Sequence, residues 1–361
     1  DAYLDTFAME KERGITIFSK QAVFSWEDMQ VTLLDTPGHI DFSAEMERTL
    51  QVLDYAVLVI SGPDGVQGHT QTLWKLLEKY QIPVFIFVNK MDQPGTEKEF
   101  ILGELQAKLN SSVTDFSDLQ SEEFYEQVSL CEEEMLNQYL EEGEVSVSQI
   151  AEKISERKIF PCVFGSALRM EGVKHLLEVM QTFLLEPSYD EVFGVKVFKI
   201  MRDVKVTGGQ LKPRMELSDK KGEWTEKINQ IRVYSGSRFE TVAQAVPGMI
   251  CALTGLTKTY PGEGLGAEFD SGAPVLEPVL TYRILFPNGE EPAKMLPKLR
   301  EIEEEEPALH IVWNEELQEI HAQVMGEVQI EIIKRWILER YGVSVTFGTG
   351  NIVYKETICE P

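Results

Sequence analysis

Over the first 190 residues the chain alternates between two periodicities, and that alternation constrains the fold more than any other feature. Apolar runs at Val31–Leu34, Ala56–Ile60, Val84–Val88 and Ile159–Phe164 are continuous rather than alternating. Such runs mark parallel strands covered on both faces. Between them apolar residues recur at three and four. Phe42, Met46, Leu50 and Leu53 set the pattern, and Gly68–Tyr80, Glu97–Leu109, Glu122–Glu142 and Gly172–Leu185 also read as helices. Strand–helix–strand repetition predicts an α/β fold with a doubly wound, mostly parallel sheet over residues 1–190. Gln21–Trp26, joined by Glu27–Gln30 to Val31, reads as a hairpin partner at the sheet edge.

Helical patterns stop near Glu186–Asp190. Gly208-Gly209, Lys221-Gly222, Pro247-Gly248 and Pro261-Gly262 then punctuate short strand patterns, which predicts a β-barrel over residues 191–275. Val195–Ile200 and Lys205–Thr207 read as a hairpin whose connection holds no turn residue but Asp203, so a loop is expected to be missing near residues 200–206. Gly262, Gly264 and Gly266 read as turns. Residues 276–361 run strand (Val279–Phe286), helix (Ala293–Glu305), strand (Leu309–Trp313), strand (Glu316–Val324), helix (Glu327–Tyr341), strand (Val343–Phe347). That is the ferredoxin-like α+β order. The acidic run Glu303–Glu306 reads as a solvated helix end.

The 34 basic residues face 60 acidic ones, a net charge of −26, which disfavours nucleic-acid binding over the whole surface. Lys199, Arg202, Lys205, Lys212 and Arg214 gather in the barrel, as an RNA-facing patch or as solvated strand faces. Cys131, Cys162, Cys251 and Cys359 form no CxxC pair, which argues against a zinc site or a disulfide framework and suits a reducing compartment. His69, His175, His310 and His321 lack metal-ligand spacing and read as structural. No apolar run reaches the roughly 18 residues a membrane span needs. No signal peptide is expected from these residues, and Asp1 is not a plausible start, so residues are expected upstream.

Four segments carry chemistry. Asp35-Thr36-Pro37-Gly38-His39 follows a buried strand at its carboxyl end, where open α/β sheets bind ligands. There Asp35 can hold a magnesium-bound water, Gly38 can offer its N–H to a terminal phosphate, and His39 can orient an attacking water. Asn89-Lys90-Met91-Asp92 also ends a buried strand. Its Asp92 carboxylate can accept from the N1–H and amine of guanine, and leaving it unpaired under the wrong base is costly. Gly165-Ser166-Ala167 offers small residues and the Ala167 N–H to a base oxygen. Glu12-Arg13-Gly14-Ile15-Thr16 can bring Thr16 to Mg²⁺ and a γ-phosphate. Each segment alone has a plainer reading: a capped turn, a polar loop, a tripeptide of chance, a charged loop entering a strand.

Their joint order resembles the translational GTPases. RGIT, DTPGH, NKMD and GSA match that superfamily's switch I, switch II, base-recognition and last base-contacting elements. The resemblance covers the whole chain: residues 194–272 look like the superfamily's β-barrel second domain. Pro278–Phe347, with Met325–Ile332 as strand end and helix start, looks like domain III of elongation factor G. The 72 residues at 93–164 are too few for the extra subdomain elongation factor G carries there. Tetracycline-resistance ribosomal protection proteins lack it, and Leu33–Phe42, Leu53-Asp54, Gly65–Gln67 and Leu130–Tyr139 look similar to theirs. An elongation factor G paralogue, peptide chain release factor 3 and a non-catalytic ribosome-binding scaffold stand as alternatives.

The resemblance implies GTP/GDP and Mg²⁺ as cofactors, the ribosome as partner, and a cytoplasmic monomer. It assigns Thr16 and Asp35 to Mg²⁺. Asp35, Thr36, Pro37, Gly38 and His39 fall to the phosphate end, with His39 catalytic when the ribosome orders it. Asn89, Lys90, Asp92, Ser166 and Ala167 fall to guanine. The phosphate loop GxxxxGK[ST] occurs nowhere in the 361 residues, and its place in the superfamily precedes switch I. The domains that reach the decoding region in these proteins are expected beyond Pro361.

Overall fold

A computed structural model describes residues 8–199, 203–272 and 274–352. It divides into two compact units: residues 25–29 with 53–188, and residues 1–24, 30–52 and 189–361. Arg202, Cys359 and the centre of the expected missing loop lie outside the described residues.

The first of these units holds a parallel sheet in the order Ala56–Ser61, Val84–Asn89, Phe160–Phe164, Val113–Asp115. Val84–Val88 and Phe160–Val163 are buried on both faces, as their unbroken apolar runs require. Ala56–Ser61 departs from that expectation. Among the described residues its one neighbouring strand is Val84–Asn89, and Val57 and Val59 remain 37% and 59% exposed. Around the sheet pack Gly68–Lys79, Lys98–Lys108 and Val173–Phe183. The long helix expected at 122–142 is two, Glu122–Ser129 and Glu133–Glu142. Ser129 donates its hydroxyl back to the Tyr125 carbonyl at 2.6 Å, a bond that bends helices. Glu132 is then extended at φ −143°. Two elements escaped the sequence reading: the three-residue strand Val113–Asp115 and the helix Val147–Ser155. Phe85, Phe116, Phe124, Ile154 and Phe183 form the core.

The expected hairpin is present as Lys20–Trp26 and Met29–Asp35, turning at Glu27 (φ 49°), but among the described residues it is not hydrogen-bonded to the parallel sheet whose edge it was expected to form. These two strands pair with each other and form their own two-stranded sheet. Met29–Asp35 is accordingly half-buried, with Leu33 44% exposed, rather than covered on both faces.

In the other unit, Gly194–Val197, Asp203–Gly208, Gln230–Ser235, Arg238–Val242, Ile250–Thr254 and Gly264–Gly266 make a six-stranded antiparallel sheet over a Val/Leu/Ile core. Gly264–Gly266, read from sequence as turns, is a strand paired with Gly194–Lys196. A Cβ on Gly264 would collide with the Phe269 backbone, so glycine here admits close backbone approach. The last sheet runs Val312–Asn314, Glu319–Val324, Leu280–Leu285, Thr346–Phe347, under helices Pro292–Glu305 and Glu327–Tyr341. This is the predicted ferredoxin-like arrangement. Its core takes in Ile17 and Phe42, so the segments carrying RGIT and DTPGH help fill it. Among the described residues no helix is long and apolar enough to cross a membrane.

Candidate functional site

Two adjacent strand ends of the parallel sheet hold the NKMD and GSA loops together. Asn89 closes its strand, and Lys90 turns the chain with φ 65°. The Asn89 Oδ1 accepts from the N–H of Lys90 at 2.8 Å and from the N–H of Ala167 at 2.8 Å. Met91 donates its N–H to the Gly165 carbonyl at 3.0 Å, and Gly165 donates to Val88 at 2.9 Å. A Cβ on Gly165 would collide with the Glu171 carbonyl, so the loop can close only over glycine. Ser166 is buried, and its hydrogen bond to Asp92 holds that carboxyl below its ordinary value, helped by Arg169 at 3.4 Å. Asp92 therefore stands as a carboxylate, able to accept two donors from one ligand edge. The Ala167 N–H, read from sequence as a donor to a base oxygen, here donates to Asn89. Arg169 is the residue that sequence reading missed; only its closeness to the tripeptide pointed to it.

The DTPGH and RGIT segments belong to the other unit. Asp35 ends the strand Met29–Asp35, half-buried, and Thr36 follows it, half-buried. Pro37 is buried and Gly38 exposed, with open space where a Cβ would stand. His39 begins the one-turn helix Ile40–Phe42: its Nδ1 accepts from the Asp41 N–H at 3.2 Å. Thr16 is half-buried. The loop expected before it is in part a helix, Ala8–Arg13, ended by Gly14 at φ 66°. Fully buried Glu10 fixes the chain just beyond Thr16, accepting from the N–H groups of Ile17 and Phe18 at 3.1 and 3.3 Å and pairing with Lys20. Phe18 stacks on Trp336 at 5.5 Å.

Among the described residues no cluster of His, Cys, Asp or Glu could hold a metal by itself. The donors expected for Mg²⁺, Asp35 and Thr16, fit that ion only as partial ligands, as when nucleotide phosphates and water complete the shell. Two of the histidines read as structural make ordinary contacts: His175 Nε2 lies 2.7 Å from the Phe116 carbonyl, and His321 pairs with Glu319 at 3.2 Å.

The helix Ser43–Leu50 carries a buried ionic cluster that no motif announced. Glu45 accepts from the Ser19 N–H at 3.1 Å and pairs with Arg48 at 2.7 Å and Lys199 at 3.2 Å. Arg48 also reaches Glu306 at 3.1 Å. Burial alone would raise the Glu45 carboxyl, but Lys199 and Arg48 pull it down to about 2. Against the cost of burial, Glu306 and Glu45 push Arg48 up, so it stays charged. Glu306 is thus a buried partner rather than part of a solvated helix end. Lys199 likewise faces this cluster, and buried Lys205 donates to the Val52 carbonyl at 2.9 Å. Neither is a solvated or RNA-facing lysine.

A parallel sheet with an Asn-Lys-x-Asp loop laced to a Ser-Ala loop, followed by antiparallel-sheet modules, defines the multidomain α/β proteins of the GTPase fold. Residues 1–186 match the elongation factor Tu GTP binding domain family, and residues 275–349 match elongation factor G, domain III. The chain belongs to the elongation factor G superfamily of translational GTPases. It is 30% identical to tetracycline resistance protein TetP of Clostridium perfringens, over 98% of this chain and 59% of that one. It is 28% identical to elongation factor G 1 of Bdellovibrio bacteriovorus, over 99% of this chain and 63% of that one. The chain thus spans about three-fifths of the length of these relatives. A crystal structure of a Thermus thermophilus protein superposes with a TM-score of 0.81 at 23% identity, covering 96% of this chain and 61% of the other.

Proposed function

We propose that this protein binds guanine nucleotides and hydrolyses GTP to GDP on the ribosome, in a ribosomal-protection-type role. The observation that carries the nucleotide reading is the Asn89–Ala167 and Ser166–Asp92 lacing, which presents an ionised Asp92 at paired strand ends. In this reading Asp92 accepts from guanine, Asn89 and Ser166 hold it in place, and the Lys90 stem lies along the base. Asp35 and Thr16 serve Mg²⁺, which supplies charge neutralisation at the phosphates when bound. Gly38 meets the γ-phosphate, and His39 orients the attacking water. Hydrolysis of this kind rests on positioning and electrostatics, with no covalent intermediate. Residues 1–190, 191–275 and 276–361 act as nucleotide-binding, barrel and ferredoxin-like domains, in a cytoplasmic monomer.

The TetP match supports the protection role, and the elongation factor G match supports translocation as the second reading. The base site is tested by Asp92→Asn in the full chain. GTP affinity should fall at least about 100-fold, the cost of unpairing buried donors, while xanthosine triphosphate affinity rises. Unchanged guanine preference would refute the assignment.

A further inference from the structure

We infer that Asp41 is a positioning residue for His39, tying it to the helix Glu327–Tyr341 of the ferredoxin-like region. This rests on the reading of His39 as the residue that orients water.

Asp41 is 6% exposed although it sits two residues past the DTPGH segment. Its Oδ2 accepts from the N–H of Val328 at 2.8 Å and of Gln329 at 3.4 Å. These are N-terminal amides of the helix, which lack partners within it. The helix's own cap, Gly326, has no side chain to offer. Asp41 therefore caps the helix from 287 residues away. Gly326 confirms the fit from the other side. Its φ is −171°, extended backbone that any residue adopts, so conformation does not call for glycine. Space does: a Cβ there would overlap the Asp41 carboxyl group.

The other end of Asp41 holds the imidazole. Its backbone N–H donates to His39 Nδ1 at 3.2 Å, and its Oδ1 lies 3.5 Å from the same nitrogen. Both contacts fall on one ring nitrogen, so they fix which edge of the ring faces Asp41 and leave Nε2 pointing away from it. Phe42 flanks the ring at 6.0 Å between centroids. The direction of His39 thus follows Asp41, and Asp41 follows the helix. Displacing the helix from the Ile40–Phe42 turn displaces the imidazole.

The test uses the full chain with ribosomes and compares Asp41→Ala, Asp41→Asn, Gly326→Ala and His39→Gln. Amide hydrogen exchange at Val328 and Gln329 reads the cap, and ribosome-stimulated kcat and KM for GTP read the consequence. Asp41→Ala and Gly326→Ala should speed exchange and lower kcat about 10- to 100-fold, the scale of a misplaced catalytic group, with KM unchanged. Asp41→Asn should restore both, because asparagine caps as well as aspartate. Faster exchange with wild-type kcat in both disruptive variants would overturn the inference while sparing His39. Wild-type kcat in His39→Gln would overturn the reading of His39, and the inference with it.

Discussion

Asn89 serves two loops with one oxygen. Its Oδ1 receives the N–H of Lys90 within its own loop and the N–H of Ala167 in the other. Removing it frees both donors at once, at about 1 kcal/mol or more each. Asn89→Ala should weaken GTP and GDP about 10- to 100-fold without changing base preference, as titration calorimetry would measure. Asp92→Asn should change which base is preferred, so the two variants separate bracing from recognition. Asn89, Asp92 and Ser166 were legible because a strand end positions such letters whatever surrounds them. Asp41 and Arg169 were not. Their partners come from tertiary contact, and no spacing in the sequence pairs Asp41 with an amide 287 residues away.

At the scale of elements, Ser43–Leu50 was legible as a helix and misleading as a surface. Its apolar stripe of Met46 and Leu50 is buried as expected, but so are Glu45 and Glu47. Glu47 accepts from the N–H groups of Val275 and Leu276 at 2.7 and 2.8 Å. A helix with charged residues buried on its polar side is held by partners that no periodicity encodes. The acidic run ending at Glu306 failed for the same reason, since charge runs are solvated unless a cation such as Arg48 waits for them. The helix Val147–Ser155 was legible and overlooked: Ser146 and Gln149 form a capping box, a signature written in four letters. Arg48→Met would leave Glu45 and Glu306 buried without their shared cation and should cost about 3–5 kcal/mol, read by denaturant unfolding. The cluster also sets a pH signature. Glu45 is depressed to about 2 from its ordinary value of 4.5, so the stability it contributes is complete above about pH 4.5 and lost as pH falls through about 2. Glu306 and Asp203 act in the opposite sense, because burial pushes both up. Comparing Glu45→Gln with wild type isolates the Glu45 contribution: the stability gap between them should shrink as the medium is acidified from about pH 4.5 to about 2.

For the whole molecule, the fold class was readable from two changes of periodicity, yet the coverage of each sheet was not. A continuous apolar run says that a strand is apolar, and neighbouring strands and helices decide whether it is covered. Ala56–Ser61, with Val59 more than half exposed, has a partner strand along one edge. Role is a property of this scale as well. Relatives named for tetracycline resistance and for elongation match almost the entire chain at 30% and 28% identity, so the shared framework does not separate them. The chemistry predicts how they separate. If docking orders His39 for catalysis, the full chain should hydrolyse GTP slowly alone. Ribosomes should raise kcat by about 10³-fold or more, the scale at which groups ordered on docking act in GTP hydrolysis. With labelled tetracycline on those ribosomes, a protection protein should release the drug in step with GTP addition. Stimulated hydrolysis with the drug retained would assign the chain to elongation or release. Absence of nucleotide binding would leave a docking scaffold, in which the Asn89–Ala167 lacing serves only to close two loops.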